Sequence, residues 1–105
     1  MVRLPPPLDQ IRPLLQQAFG SRLRSVVLYG SRARGDHRPD SDVDLMVVLD
    51  GTFSLRYDLE RTVDALYPLQ LESDLLIHPM PVDARDFDAQ AFAIFREVRR
   101  EGVPL

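Results

Sequence analysis

At 105 residues the chain has room for one domain with one modest core, and none for a separate substrate domain. A formal net charge of -3 argues against a general nucleic-acid binder, while 45% hydrophobic and 28% charged residues are ordinary for a globular protein. Cysteine is absent, which excludes disulfides, thiolate catalysis and zinc–thiolate sites. All 13 basic residues are arginine, which excludes a Walker-type phosphate loop, a kinase-type lysine and Schiff-base chemistry.

Met1 to Pro7 carries one arginine and a Pro5-Pro6-Pro7 run, read as an extended arm and not a signal peptide. No apolar run approaches the ~20 residues that span a bilayer, so the simplest expectation is a cytoplasmic protein. Leu8, Ile11, Leu15 and Ala18/Phe19 recur at helical spacing, with Asp9 as a cap, Pro13 tolerable only in the first turn, and Gly20 as the stop. Residues 23–29 read as a strand centred on Val26 and Val27. Gly30 ends it, Ser31 caps a short helix to about Arg34, Gly35 breaks that helix, and Asp36 to Ser41 form a polar loop.

A second strand covers residues 42–49, and Asp50-Gly51 is a turn. Ser54 caps a helix carrying Leu55, Leu59, Val63 and Leu66, with Tyr57 and Tyr67 as packing residues and Pro68 as its end. Residues 69–78 alternate like a third strand, closed by Pro79 and Pro81. Asp83 or Asp86 then caps a last helix with Phe87, Ala91, Ile94, Phe95 and Val98, which Gly102 ends. The order α-β-α-β-α-β-α predicts one α/β (α+β) domain over 1–105, a small mixed sheet of three to four strands flanked by helices.

The chemistry concentrates between the first two strands. Side chains on a strand alternate faces, so Asp42 and Asp44 project together at the mouth of the second strand. Paired carboxylates repel unless a cation lies between them. The third strand offers Asp74, with Glu72 of the same facing. If the two strands are neighbours, three carboxylates converge on a site suited to magnesium. On the other side, Gly30 lets the backbone approach a ligand closely. The amides and hydroxyl at Ser31 form an anion site, and Arg32 and Arg34 can neutralise phosphate, although Arg34 could equally pair with Asp36 or Asp42. His37 and His78 are not expected to be ligands, because the site favours oxygen donors and His78 borders a proline turn. Asp36 and Asp40 read as loop residues, and Arg96, Arg99 and Arg100 as a solvated helix end.

Gly30-Ser31-x-Ala33-Arg34-Gly35 followed by Ser41-Asp42-x-Asp44-Leu45 resembles the signature of the DNA polymerase β-type nucleotidyltransferase superfamily, most closely its minimal, MntA-like antitoxin members. The resemblance implies magnesium-dependent transfer of a nucleoside monophosphate from a nucleoside triphosphate, expected to be ATP, with two Mg2+ ions and pyrophosphate leaving. Carried over by position, Gly30 and Ser31 bind the triphosphate and Asp42 and Asp44 hold the metals. The third carboxylate lies on a later strand, where Asp74 matches best and Glu72 is the alternative. The resemblance further implies a HEPN-domain toxin as acceptor and partner, silenced by adenylylation. Two alternatives stand beside this: an antitoxin that acts by binding alone, and transfer to a small molecule such as an aminoglycoside. The acceptor-binding helical domain of larger superfamily members has no counterpart in this chain, and direct nucleic-acid binding is not expected.

Overall fold

The computed structural model describes residues 7–36, 38 and 42–105. The proline arm over 1–6, and His37, Pro39, Asp40 and Ser41 of the signature loop, lie outside the described residues. A 3-10 turn (Leu8–Gln10) leads into α1 (Ile11–Phe19), which buries Ile11, Leu15 and Phe19 at four-residue spacing. Asp9 does not cap it, but Pro13 falls in its first turn, where proline is tolerated, and Gly20 ends it. There follow β1 (Leu23–Tyr29), α2 (Ser31–Arg34), β2 (Val43–Leu49), α3 (Leu55–Glu72), β3 (Ile77–Asp83), α4 (Ala84–Asp88), α5 (Ala93–Glu101) and β4 (Val103–Pro104).

The expected mixed sheet forms with four strands, in the order β3-β2-β1-β4. β2 is antiparallel to β1 and parallel to β3, and β4 joins the far side of β1 antiparallel. Its sequence VDLMVVL is a near-continuous apolar run, as befits a strand covered on both faces. Val43, Leu45, Val47 and Leu49 pack with α1 and α3, while Met46 and Val48 pack with Phe95 and Val98 of α5. Each such side chain contributes about 1.5–3 kcal/mol when fully buried, so this strand anchors the domain. Among the described residues no helix is long and apolar enough to cross a membrane.

Three sequence expectations are corrected. First, α3 does not stop at Pro68 but runs to Glu72. Leu66 and Leu69, at helical spacing on either side of the proline, are both buried. That packing offsets the roughly 3 kcal/mol that an interior proline costs. The third strand is therefore 77–83 and not 69–78, and it contains Pro79 and Pro81. β3 is an edge strand, and the Ile77 amide points away from β2 to Gln70 Oε1 at 2.9 Å. The prolines share that outward parity, so neither removes a ladder hydrogen bond. Second, the buried face of α3 is Asp58, Thr62, Leu66 and Leu69. Leu55, Leu59, Val63, Tyr67 and Leu71 form an exposed row one position away, and Tyr57 is also exposed. Third, the last helix is two helices, parted at Ala89–Phe92 with Gln90 at a positive φ of 51°. Asp83 caps the first of them, accepting from the Arg85 amide at 2.9 Å.

One ion pair ties the chain's crossing points together. Arg22 donates to both Asp58 oxygens, at 3.0 and 3.1 Å, to the Asp50 carbonyl at 3.0 Å and to the Thr52 carbonyl at 2.9 Å. Asp58 also accepts the Ser54 amide at 3.0 Å, at the start of α3. The Arg22 hydrogen bonds, outweighing the cost of burial, hold the Asp58 carboxyl below the usual carboxylate range. A lowered folded-state value makes this contribution complete above the unfolded carboxylate pKa of about 3.9 and lost as pH falls through the folded value. Asp58→Asn should lower stability by about 1.5–3 kcal/mol in urea unfolding at pH 7. The gap to the unsubstituted protein should narrow below about pH 4; a gap independent of pH would show that the charge of Asp58 plays no part.

Candidate active site

The site begins where β1 ends. Gly30 follows Tyr29 with φ 77° and ψ -153°, a conformation open essentially to glycine alone. A Cβ at Gly30 would stand 2.6 Å from Asp44 Oδ2, so a side chain there would turn the Asp44 carboxylate aside. Ala33 and Arg34 donate to the Gly30 carbonyl at 3.1 and 3.2 Å, and Gly35, left-handed at φ 81°, closes the single helical turn of α2. Gly30, not Ser31, holds the N-cap position, and Ser31 is the first helical residue. Its amide belongs to the opening of a helix, where main-chain donors have no intrahelical acceptor.

Facing this turn is a row of side chains across three strands. Register pairs Tyr29 with Asp44 and Asp44 with His78, on the face that carries Met46, Met80 and α5 further along. His78 Nδ1 lies 3.4 Å from Asp42 Oδ2 and 3.9 Å from Asp44 Oδ1, so both carboxylates approach one imidazole. All three are accessible, with side chains 43%, 35% and 52% exposed for Asp42, Asp44 and His78, which leaves oxygens open to a ligand. Burial, and then the Asp44 charge, push the Tyr29 phenol above its ordinary pKa. A cleft of about 760 Å³ lined by Ala18, Tyr57, Arg61 and Asp64 lies on the α1–α3 side, across the sheet from this row.

The sequence-expected residues separate into two groups. Gly30, Ser31, Asp42 and Asp44 come together. Arg32 and Arg34 sit on α2 beside them, and Arg34 pairs with Asp36 at 3.2 Å and Glu101 at 3.8 Å, not with Asp42. Its hydrogen bond to Asp36 raises the guanidinium pKa further. Asp74 is not on a strand: it lies exposed in the loop between α3 and β3, and Glu72 is the last residue of α3. Among the described residues no group of three or more carboxylate or imidazole side chains makes a ready-formed metal cage. Sequence reasoning missed His78 and Tyr29. The missing signal was register, since a strand placed eight residues early puts His78 at its end instead of beside Asp44.

Gly30→Ala should cost about 1–3 kcal/mol in urea unfolding through backbone strain. It should also displace Asp44, so that Gly30→Ala with Asp44→Ala costs less than the sum of the two. Strict additivity would show that the close approach is not a constraint.

A nucleotidyltransferase domain family model matches residues 8–99. Two relatives from Methanocaldococcus jannaschii are both named putative protein adenylyltransferase. One is 38% identical over 45 residues, 43% of this chain and 45% of its own length. The other is 32% identical over 85 residues, 80% of this chain and 58% of its own length. The chain thus spans about half the length of the curated relatives it matches. A solved structure titled as a putative nucleotidyltransferase from Sulfolobus solfataricus superposes with a TM-score of 0.54 at 22% identity, covering 92% of this chain and 77% of that one, which supports the fold. The family match over nearly the whole chain, on a sheet that sets a glycine–serine turn against Asp44 of β2, with Asp42 just before that strand, places this protein in the nucleotidyltransferase domain family.

Proposed function

We propose that this nucleotidyltransferase moves AMP from ATP to a hydroxyl of a protein acceptor. The observation that carries the reading is the apposition of the Gly30–Ser31 turn and Asp44, where a Cβ would intrude to 2.6 Å. It supports reading the Gly30–Ser31 turn as the phosphate side of a site whose carboxylate side is Asp44 with Asp42 nearby. In this reading the Ser31 amide and hydroxyl orient the triphosphate, and Arg32 and Arg34 offset its charge, Arg34 exchanging Asp36 and Glu101 for phosphate oxygens.

Asp42 and Asp44 fit magnesium, a hard cation that commonly takes one or two protein carboxylates and completes its shell with phosphates and water. Bound there, magnesium would supply positive charge to the triphosphate and to the oxygen that leaves with pyrophosphate. The acceptor oxygen attacks the α-phosphorus in line, the bond to the bridging oxygen breaks, pyrophosphate departs and the hydroxyl proton passes to solvent. Asp74, expected as a third carboxylate, stands outside the set in this conformation.

A protein acceptor is supported by the names of the two relatives. The exposed row Leu55, Leu59, Val63, Tyr67 and Leu71 supports it as well, being an apolar helix face suited to a partner. The family resemblance points to a HEPN-domain toxin as that partner. The same exposed row favours a second reading, in which the complex itself neutralises the toxin and transfer is secondary.

Incubation with α-labelled ATP, Mg2+ and a HEPN-domain partner should label the partner. Asp42→Asn with Asp44→Asn should cut labelling by about a hundredfold or more without unfolding the chain. Undiminished labelling by that variant would overturn the proposal. Label on an aminoglycoside and none on the protein would move the acceptor to small molecules. A variant without transfer that still silences the toxin would favour the binding reading.

A further inference from the structure

We infer that the acceptor protein docks by a helix laid along the open edge of the domain, between α3 and β3, with an apolar stripe against that edge and basic side chains over its acidic border. The inference rests on the reading of a protein acceptor and goes beyond it in naming the docking surface and the element that fills it. α3 turns Leu55, Leu59, Val63 and Tyr67 to solvent, each 38% exposed or more. They recur every four residues, beside the buried face of the helix and next to β3.

Two hollows join this row to the strand. One of about 190 Å³ lies between Val63, Tyr67, Leu76 and Pro79. Another of about 480 Å³ lies between Leu55, Met80, Pro81 and Phe92. Leu55 and Val63 stand about two helical turns apart, roughly 12 Å along α3. Two apolar side chains about seven residues apart on a facing helix span a similar distance. A strand does not fit this edge. The Val43 amide donates to the Leu76 carbonyl at 2.8 Å, so residue 76 faces β2 and residues 77, 79 and 81 face away from it. Of the outward amides, that of Ile77 is held by Gln70 Oε1, and Pro79 and Pro81 have none. An added strand would find no main-chain donor over that stretch, so the occupant must bind through side chains.

The border of the row sets the charge of its partner. One residue beyond the row, on its solvent side, stand Arg56, Glu60, Asp64 and Glu72, all exposed. Three carboxylates against one guanidinium favour a basic flank on the facing helix. A second copy of this chain would bring the same acidic border and a net charge of -3, which disfavours it as the occupant. The edge also leads to the candidate active site. His78 directly precedes Pro79, and its Nδ1 lies 3.4 Å from Asp42 Oδ2. A helix seated over Pro79 therefore brings the adjoining segment of its protein to the carboxylates, where the accepting hydroxyl must stand.

Calorimetry of the full chain with the HEPN-domain partner of the labelling assay, without nucleotide, tests the surface apart from the chemistry. The unsubstituted chain and Asp42→Asn with Asp44→Asn should bind the partner equally. Leu59→Glu with Val63→Glu should weaken binding about tenfold or more. Glu60→Arg with Asp64→Arg, which leaves every apolar side chain in place, should weaken it about tenfold at low salt. In the labelling assay both variants should raise the KM for the partner and leave kcat unchanged, and urea unfolding checks that each keeps the fold. Undiminished affinity in either variant, or affinity lost with the paired aspartates instead, would overturn the inference and leave the transfer reading intact. So would a dimer of the chain alone, seen by sedimentation and abolished by Leu59→Glu with Val63→Glu. A partner that is labelled but not bound would overturn the docking surface only, and one neither bound nor labelled would overturn both.

Discussion

A Cβ on Gly30 would come within 2.6 Å of Asp44 Oδ2, so a glycine at this turn lets that carboxylate stand where it does, and any side chain there would turn it aside. Two strands must end at the same corner for this approach to occur. The antiparallel register of β1 and β2 provides this by pairing Tyr29, the last residue of one, with Asp44, near the start of the other. A residue with a side chain at position 30 would face both the close contact and a φ of 77° that L residues rarely adopt.

The rest of the fold keeps that corner still. β2 is buried along its length after Asp44, sealed by α1 and α3 on one face and α5 on the other. Its mouth therefore inherits the rigidity of the core while Asp42 and Asp44 themselves remain accessible. Two polar clamps fix the surroundings. Arg22 and Asp58 join the entry of β1 to the loop after β2 and the first turn of α3. At the other end of α3, Gln70 grips the Leu75 carbonyl and the Ile77 amide, and so sets where β3 begins and which of its side chains faces Asp44.

Much of this was legible in the residues. The apolar run 43–49 announces a central strand, and the glycines at 30 and 35 bracket a turn that could hardly be anything else. The Gly-Ser and Asp-x-Asp elements, joined by a loop of fitting length, locate the two halves of the site. What the sequence concealed was tertiary. Pro68 reads as a helix end because local propensity says so, and only the burial of Leu69 carries the helix past it. Pro79 and Pro81 read as strand breakers because a lone sequence cannot say which edge a strand will occupy. Those two misreadings together moved the third strand by eight residues, brought Asp74 forward and hid His78. The exposed apolar row on α3 was hidden for the same reason. Helical spacing identifies a stripe, but Leu55, Leu59 and Val63 form one stripe and Thr62, Leu66 and Leu69 another, and packing chose the second.

In the proposed reaction the Gly30–Ser31 turn and the Asp42–Asp44 pair bind one metal–triphosphate between them. Backbone amide chemical shifts of the full chain, followed by nuclear magnetic resonance as ATP and Mg2+ are added together, test it directly. Shifts should centre on Gly30, Ser31, Ala33 and Asp44, and should be lost when both aspartates are changed to asparagine. Shifts centred on the α1–α3 cleft around Ala18 and Arg61, or a response at Ser31 that persists without the carboxylates, would contradict it.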